Sequence, residues 1–137
     1  VVEQNMDTGL DNFPDHSFDT VVMTQTLQAL HNPHLVLEEM LRIGHTGIVT
    51  FPNFAHWRCR WHLSTRGRMP VSRFMPYSWY DTPNIHFCTV RDFEALCQQL
   101  GIRILHRQMV GQGPVGSKMA GVLPNLFAMT AIYHISR

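Results

Sequence analysis

Several clusters of side chains in this chain have the types and spacing that chemistry would need. His56-x-x-Cys59-x-x-His62 sets two imidazoles and a thiol at a metal-like interval, with Cys88 or His86 as a fourth ligand. Arg58 and Arg60 stand among those ligands and would repel a cation, so no metal is assigned. His31-x-x-His34 is a weaker ligand pair, and Cys88 with His86 is a weak nucleophile–base pair. Gly111-Gln112-Gly113-Pro114-Val115-Gly116 has enough glycine for a phosphate loop. Such a loop needs a strand before it and a helix after it, so that backbone amides and the helix N-terminus meet an anion. Pro114 interrupts the run and a strand is expected next, so the segment reads as a turn or mobile loop. No G-x-x-x-x-G-K-[ST] motif is present, and Lys118 is the one lysine.

Residues 54–88 are the most informative stretch. They hold all three tryptophans, Trp57, Trp61 and Trp79, and lack helical or strand periodicity. Arg58, Arg60, Arg66, Arg68 and Arg73 are interleaved with Phe74, Tyr77 and Tyr80 as well as those tryptophans. A stretch of that length with no element of its own is usually functional or disordered, and its aromatic content argues against disorder. Arg, Trp and Tyr dominate protein–protein hot spots. Single-stranded nucleic acid draws on the same side chains, so chemistry alone leaves both partners open.

These residues must be held by regular elements, and the chain supplies them in α/β order. After a Pro14-Asp15-His16-Ser17 turn, residues 18–24 form a β-branched run expected as a strand covered on both faces. Asn32-Pro33 opens a helix with a Leu35, Val36, Leu37, Met40, Leu41 stripe, and Gly44 is its expected stop. Residues 47–51 are a second strand. Thr89-x-x-Asp92 is a capping box for a helix with Phe93, Leu96, Cys97 and Leu100 on one face, closed by Gly101. Strands are expected at 102–107 and 126–135, and two consecutive strands without an intervening helix make the last one antiparallel. Cys97, on an apolar stripe, reads as a core residue.

Composition narrows the classes. With 137 residues, 45% hydrophobic and 10% aromatic, the chain is read as one domain, 1–137, with a real core. No apolar run is long enough to span a membrane, and the first residues lack the pattern of a signal peptide. Three cysteines fit a reducing cytosol, so a cytoplasmic location is expected. The net charge of +1 hides an asymmetry: residues 1–41 carry seven acids and no Lys or Arg, whereas residues 42–137 carry all eleven basic residues against three acids. That split suggests a basic binding face or two halves neutralised by folding. The acidic first third and the small net charge argue against nucleic acid.

Specific strings add a resemblance. Phe51-Pro52-Asn53-Phe54-Ala55-His56-Trp57-Arg58, Gly67-Arg68-Met69-Pro70-Val71 and Tyr77-x-Trp79-Tyr80-Asp81-Thr82-Pro83-Asn84-Ile85-His86 resemble the methionine biosynthesis protein MetW family. So do Ser17-Phe18-Asp19, Thr24-Gln25-Thr26-Leu27-Gln28 and Thr89-x-x-Asp92-Phe93-Glu94. The resemblance runs the length of the chain. It implies a partial class I methyltransferase (Rossmann-like) sheet and a role in bacterial methionine biosynthesis. It also implies association with homoserine O-acyltransferase and support of that enzyme's activity. Carried onto this chain, the family's sheet predicts the strand order 18–24, 47–51, 126–135, 102–107, with 126–135 antiparallel between its neighbours and residues 1–5 apart from the group.

The resemblance also shows a departure. Family members begin with a Gly-x-Gly-x-Gly turn that holds the methionine and ribose of S-adenosylmethionine, then a second strand ending in an acid. This chain begins at the position of the third strand, so about 60 residues at about 30 per βα unit have no counterpart in it. Asn5 stands where the family has an acid facing the adenine amine, followed by Met6, and Thr24 and Gln25 lie at a strand's carboxyl end. Those four are the candidate cofactor residues, and weak or absent binding by this chain is the expectation. Trp57, Arg58, Arg68, Trp79, Tyr80, Asp81, Asn84 and His86 are the candidate partner or substrate residues within 54–88, which reads as a long aromatic and basic insertion. The alternative is an active methyltransferase with that segment as substrate lid, a chemistry that rests on alignment more than on a base.

Overall fold

The computed structural model describes residues 5–73 and 75–137. Residues 1–4 and Phe74, part of the expected apolar start and of the aromatic segment, lie outside the described residues, and with them the expected separation of residues 1–5.

Four strands, β1 Phe18–Thr24, β2 Gly44–Pro52, β3 Arg103–Val110 and β4 Thr130–Ser136, form one sheet in the order β1-β2-β4-β3. β1 and β2 are parallel, while β4 runs antiparallel to both β2 and β3. This is the order and direction expected from the sequence. The alternation of side chains along each strand divides the sheet into two unlike faces. Met23, Val49, Phe51, Ala131, Tyr133 and Ile135 point to one side and are buried in a single core. Helix α1 (Pro33–Ile43) and helix α3 (Val90–Leu100) cover that side through Val36, Leu37, Met40, Leu41, Phe93 and Cys97. Phe51, Phe93 and Tyr133 pack ring to ring, with centroids 4.7–6.0 Å apart.

On the other face β1 is uncovered while β2 and β4 are half-buried, which corrects the expectation that β1 is covered on both sides. Thr20, Val22 and Thr24 are exposed, and Val22 retains 58% of its surface. The near-continuous apolar run misled because Phe18 and Val22 are apolar residues on the uncovered face.

Gly44 stops α1 as expected, its N–H donating to the Met40 carbonyl, but in an extended conformation at φ −117° that makes it the first residue of β2, where a Cβ would lie 2.7 Å from Val21 Cγ2. Two further expectations change. A long segment thought to lack elements contains helix α2, Trp57–Arg66, capped by the His56 Nδ1 acting as acceptor for the Arg58 N–H at 3.3 Å and closed by left-handed Gly67. The glycine cluster leads not into a strand but into helix α4, Gly113–Val122, followed by the short α5, Pro124–Phe127. That helix displaces the start of the last strand from 126 to Thr130. Pro114 signals a helix's first turn as readily as a break, which is the physical reason the pattern was misread.

Thr89 caps α3 as expected, with Asp92 N donating to Thr89 Oγ1 at 3.2 Å, while the Asp92 carboxylate receives the Thr89 hydroxyl in place of the box's reciprocal bond to the Thr89 backbone N–H. Asn32 precedes α1 but its side chain makes no cap bond; its carbonyl instead receives Leu35 N and Val36 N.

Candidate functional site

The carboxyl ends of β1 and β2 hold a continuous polar network. At the end of β1 the backbone turns sharply, with Gln25 at φ +52°, a left-handed conformation uncommon outside glycine. The Gln25 N–H is received by both the carbonyl and the hydroxyl of Thr50, each at 3.0 Å. Gln28 Nε2 donates to the Gln25 carbonyl at 2.8 Å, and Thr26 Oγ1 donates to the Thr24 carbonyl at 2.7 Å. The Gln28 carbonyl then receives Ile85 N and His86 N at 2.8 and 2.9 Å, tying the end of the aromatic segment to the turn after β1. His86 Nε2 lies 3.3 Å from the His31 carbonyl. The His31 backbone N–H and ring Nδ1 each reach the Asp7 carboxylate at 3.0 Å. The hydrogen bond from His31 holds the Asp7 carboxyl below the usual carboxylate range.

Of the candidate cofactor residues, Thr24 and Gln25 therefore sit within this network. Met6 is half-buried against the core, in the 3-10 turn Met6–Thr8 that carries Asp7. Asn5 caps that turn, its amide oxygen receiving Asp7 N at 3.0 Å. The acceptor expected to face an adenine amine is thus engaged within the chain. Gln28, His31 and Asp7, not among the expected site residues, carry most of the bonds. A glutamine between Leu27 and Ala29-Leu30 was the available signal, since a buried polar residue needs partners.

The candidate partner residues fall in separate places. Trp79 and Tyr80 pack edge to face with centroids 5.7 Å apart, and both are about three-quarters exposed, at 73% and 75%. With Arg68, Gly67, Met69, Val71 and Ser78 they line an open cleft of about 480 Å³. Asn84 lies under the same segment, its N–H received by Thr82 Oγ1, while Asp81 is exposed and donates its N–H to Ser78. Trp57 and Arg58, at the start of α2, contact one another, with the guanidinium 5.4 Å from the indole centroid, and are not part of that cleft. His86 belongs to the β1 network instead. Arg58, Arg60, Arg66, Arg68 and Arg73 are all exposed, and among the described residues none of them enters an ion pair with an acid. Among the described residues, Arg42 alone of the basic Lys and Arg side chains bridges to the acidic first third, through Asp15 and Glu39. The charge asymmetry therefore survives folding on this surface.

Two sequence motifs acquire structural roles. Among the described residues no three His, Cys, Asp or Glu are grouped to hold a metal, and His56 and Cys59 are buried as the cap and first turn of α2. Burial pushes the Cys88 thiol up to about 12, so it is neutral and a poor nucleophile. The glycine cluster does lie between a strand and a helix, the arrangement a phosphate loop requires. Its interior is filled by its own backbone: a Cβ on Gly111 would stand 2.3 Å from the Gly116 carbonyl oxygen.

An α/β sheet in this order, with the antiparallel last strand inserted between β2 and β3, is the partial class I S-adenosylmethionine-dependent methyltransferase fold. Solved structures share it: a methyltransferase from Thermotoga maritima described as a possible histamine N-methyltransferase matches with a TM-score of 0.62 at 16% identity, over 98% of this chain and 62% of that one. An S-adenosylmethionine-dependent methyltransferase from Mesorhizobium loti matches equally, TM-score 0.62 at 13% identity, over 98% and 67%. The family model described as methionine biosynthesis protein MetW matches residues 1–135, and the chain belongs to that family. A bifunctional methionine biosynthesis protein MetXA/MetW from Rhodopirellula baltica is 35% identical over the whole chain, which spans 22% of that relative's length. No helix among the described residues is long and apolar enough to cross a membrane.

Proposed function

We propose that the chain serves methionine biosynthesis as the docking partner of a homoserine O-acyltransferase, and that it engages the enzyme through Arg68, Trp79 and Tyr80. The exposed Trp79–Tyr80 pair beside an unpaired Arg68 carries this reading. Large amphipathic side chains and arginine at an open cleft are the residue types that supply binding energy at protein interfaces. Joining of the names MetXA and MetW in one bifunctional relative supports it. The five exposed arginines, none in an ion pair with an acid among the described residues, favour an acidic patch on the partner, which would steer association. In the full-length protein, Trp79→Ala or Arg68→Ala should weaken binding of the acyltransferase by about 2 kcal/mol, roughly thirtyfold, measured by titration calorimetry. Thermal melts of both variants should stay near the parent. A Trp79→Ala variant that melts early yet binds normally would make the segment structural and end the proposal.

S-adenosylmethionine fits this chain only in part. Thr24 and Gln25 offer a rim at the end of β1, but one lone pair of the Asn5 amide oxygen is already taken by Asp7 N–H within its own turn. The 137-residue chain is expected to bind it weakly or not at all, and a micromolar or tighter dissociation constant by calorimetry would contradict this.

A further inference from the structure

Beside the start of α3 a pocket of about 410 Å³ opens between α2 and the junction of α4 with α5, a size that small-molecule sites share. Val122, Leu123 and Leu126 form its apolar wall, and Val122 and Leu123 keep 79% and 53% of their surface exposed. Arg60, Arg91, Glu94 and Asn125 form the polar wall.

The bonds of these polar groups leave donors facing solvent. Arg60 Nε donates to the Ala55 carbonyl at 2.7 Å, which anchors the side chain while its two Nη groups have no partner among the described residues. The Arg91 guanidinium is exposed and makes no hydrogen bond or ion pair among the described residues. Arg91 N donates to Asn125 Oδ1 at 3.4 Å, which sets the amide so that Nδ2 is a further donor. Glu94 is the one acid in the lining, and its Oε1 already receives the Tyr133 hydroxyl at 2.8 Å and Arg107 Nη1 at 2.9 Å. Its charge is paired, so the positive charges of Arg60 and Arg91 stand uncompensated. The backbone amides of the first turn of α3 are bonded to Asn53, Asn125 and Thr89, which leaves an anion to the side chains. Guanidinium groups match a carboxylate with paired donors. A bare oxyanion would leave the apolar wall in water, whereas a carboxylate carrying a chain uses both walls.

We propose that this pocket binds a small carboxylate with a short apolar chain, the carboxylate received by Arg60 and Arg91 and the chain laid on Val122, Leu123 and Leu126. The site is separate from the Arg68–Trp79–Tyr80 cleft and does not rest on the partner reading.

The test titrates hexanoate, acetate and 1-hexanol into the isotope-labelled full-length protein, followed by NMR. Acetate keeps the charge without the chain, and 1-hexanol keeps the chain without the charge. Hexanoate should saturably shift the Val122, Leu123 and Leu126 methyls and bind about tenfold tighter than either of the others. Arg91→Met removes no bond within the chain, so its melt should stay near the parent, while its hexanoate affinity should fall to about that of 1-hexanol. Replacing Val122 and Leu123 together with Ser should bring hexanoate down toward acetate. Acetate binding as well as hexanoate would make the arginines a general anion surface and overturn the proposal. Hexanoate affinity unchanged in Arg91→Met, no saturable shift, or shifts confined to other residues would overturn it as well.

Discussion

Asn53 Nδ2 donates to the Ala128 carbonyl at 2.9 Å, joining the end of β2 to the entry of β4 across 75 positions of sequence. The same buried amide donates to the Asn125 carbonyl, and its Oδ1 receives Ala55 N and Val90 N, so one side chain ties β2, α3 and the α5 turn together. Replacing it with Asp keeps the acceptor but turns a carboxylate oxygen toward carbonyls. Asn53→Asp should cost about 3 kcal/mol or more of unfolding free energy at neutral pH, and Asn53→Ala about 2–3 kcal/mol, measured by urea denaturation. Loss of under about 0.5 kcal/mol in both would mean the network is not under tension from burial.

Gly111 and Gly67 should respond differently to alanine. At Gly111 the new Cβ meets backbone atoms of Gly116 and Ser117, the nearest at 2.3 Å, and backbone has little room to yield. At Gly67 nothing lies within 4 Å, and only the left-handed φ of +61° opposes a side chain. Gly67→Ala should therefore cost about 1 kcal/mol and Gly111→Ala about 2–3 kcal/mol, by thermal or urea melts.

His56 makes stability fall on the acid side. Burial, helped by the Arg58 charge, holds its imidazole below the ordinary value of 6.5, while Nδ1 serves as acceptor in the α2 cap. The unfolded chain takes up a proton that the folded chain resists, so this contribution is intact above pH 6.5 and declines as pH drops below it. His56→Asn, which keeps a cap acceptor without a titrating group, should flatten the difference between urea midpoints at about pH 7.5 and about pH 5.5.

The cysteines should be unreactive while the chain is folded. Burial raises all three thiols, Cys88 to about 12 and Cys97 to about 11, leaving almost no thiolate near neutral pH. Labelling with a chromogenic disulfide at about pH 8 should be slow in buffer and rapid in denaturant. Fast labelling of Cys88 in the folded state would show that the 85–88 segment opens readily.

Elements whose cause is local were legible in the residues. The Thr89-x-x-Asp92 box and Gly101 bound α3 because capping and left-handed closure depend on a few adjacent groups. Likewise 18–24 forms β1, since a β-branched run needs no distant partner to prefer extension. The antiparallel last strand is expected where no helix is read between 102–107 and 126–135; β4 is antiparallel although α4 and α5 occupy that connection, and the full order β1-β2-β4-β3 comes from the family strings. The aromatic and basic character of 54–88 was also plain, although α2 was hidden because His56 is an unusual cap and the helix's exposed tryptophans mask its period. What only the tertiary structure decided depends on groups far apart in sequence. The openness of β1 on one face could not be read from Val22 and Phe18, because apolarity does not say which face is covered. Gln28 becomes a hub only when 85–86 is laid against the turn after β1, and Gly111 becomes a packing glycine only when α4 folds back on it. Hydrogen bonds and close approaches of that kind are set by where distant backbone comes to rest, which no local pattern of residues specifies.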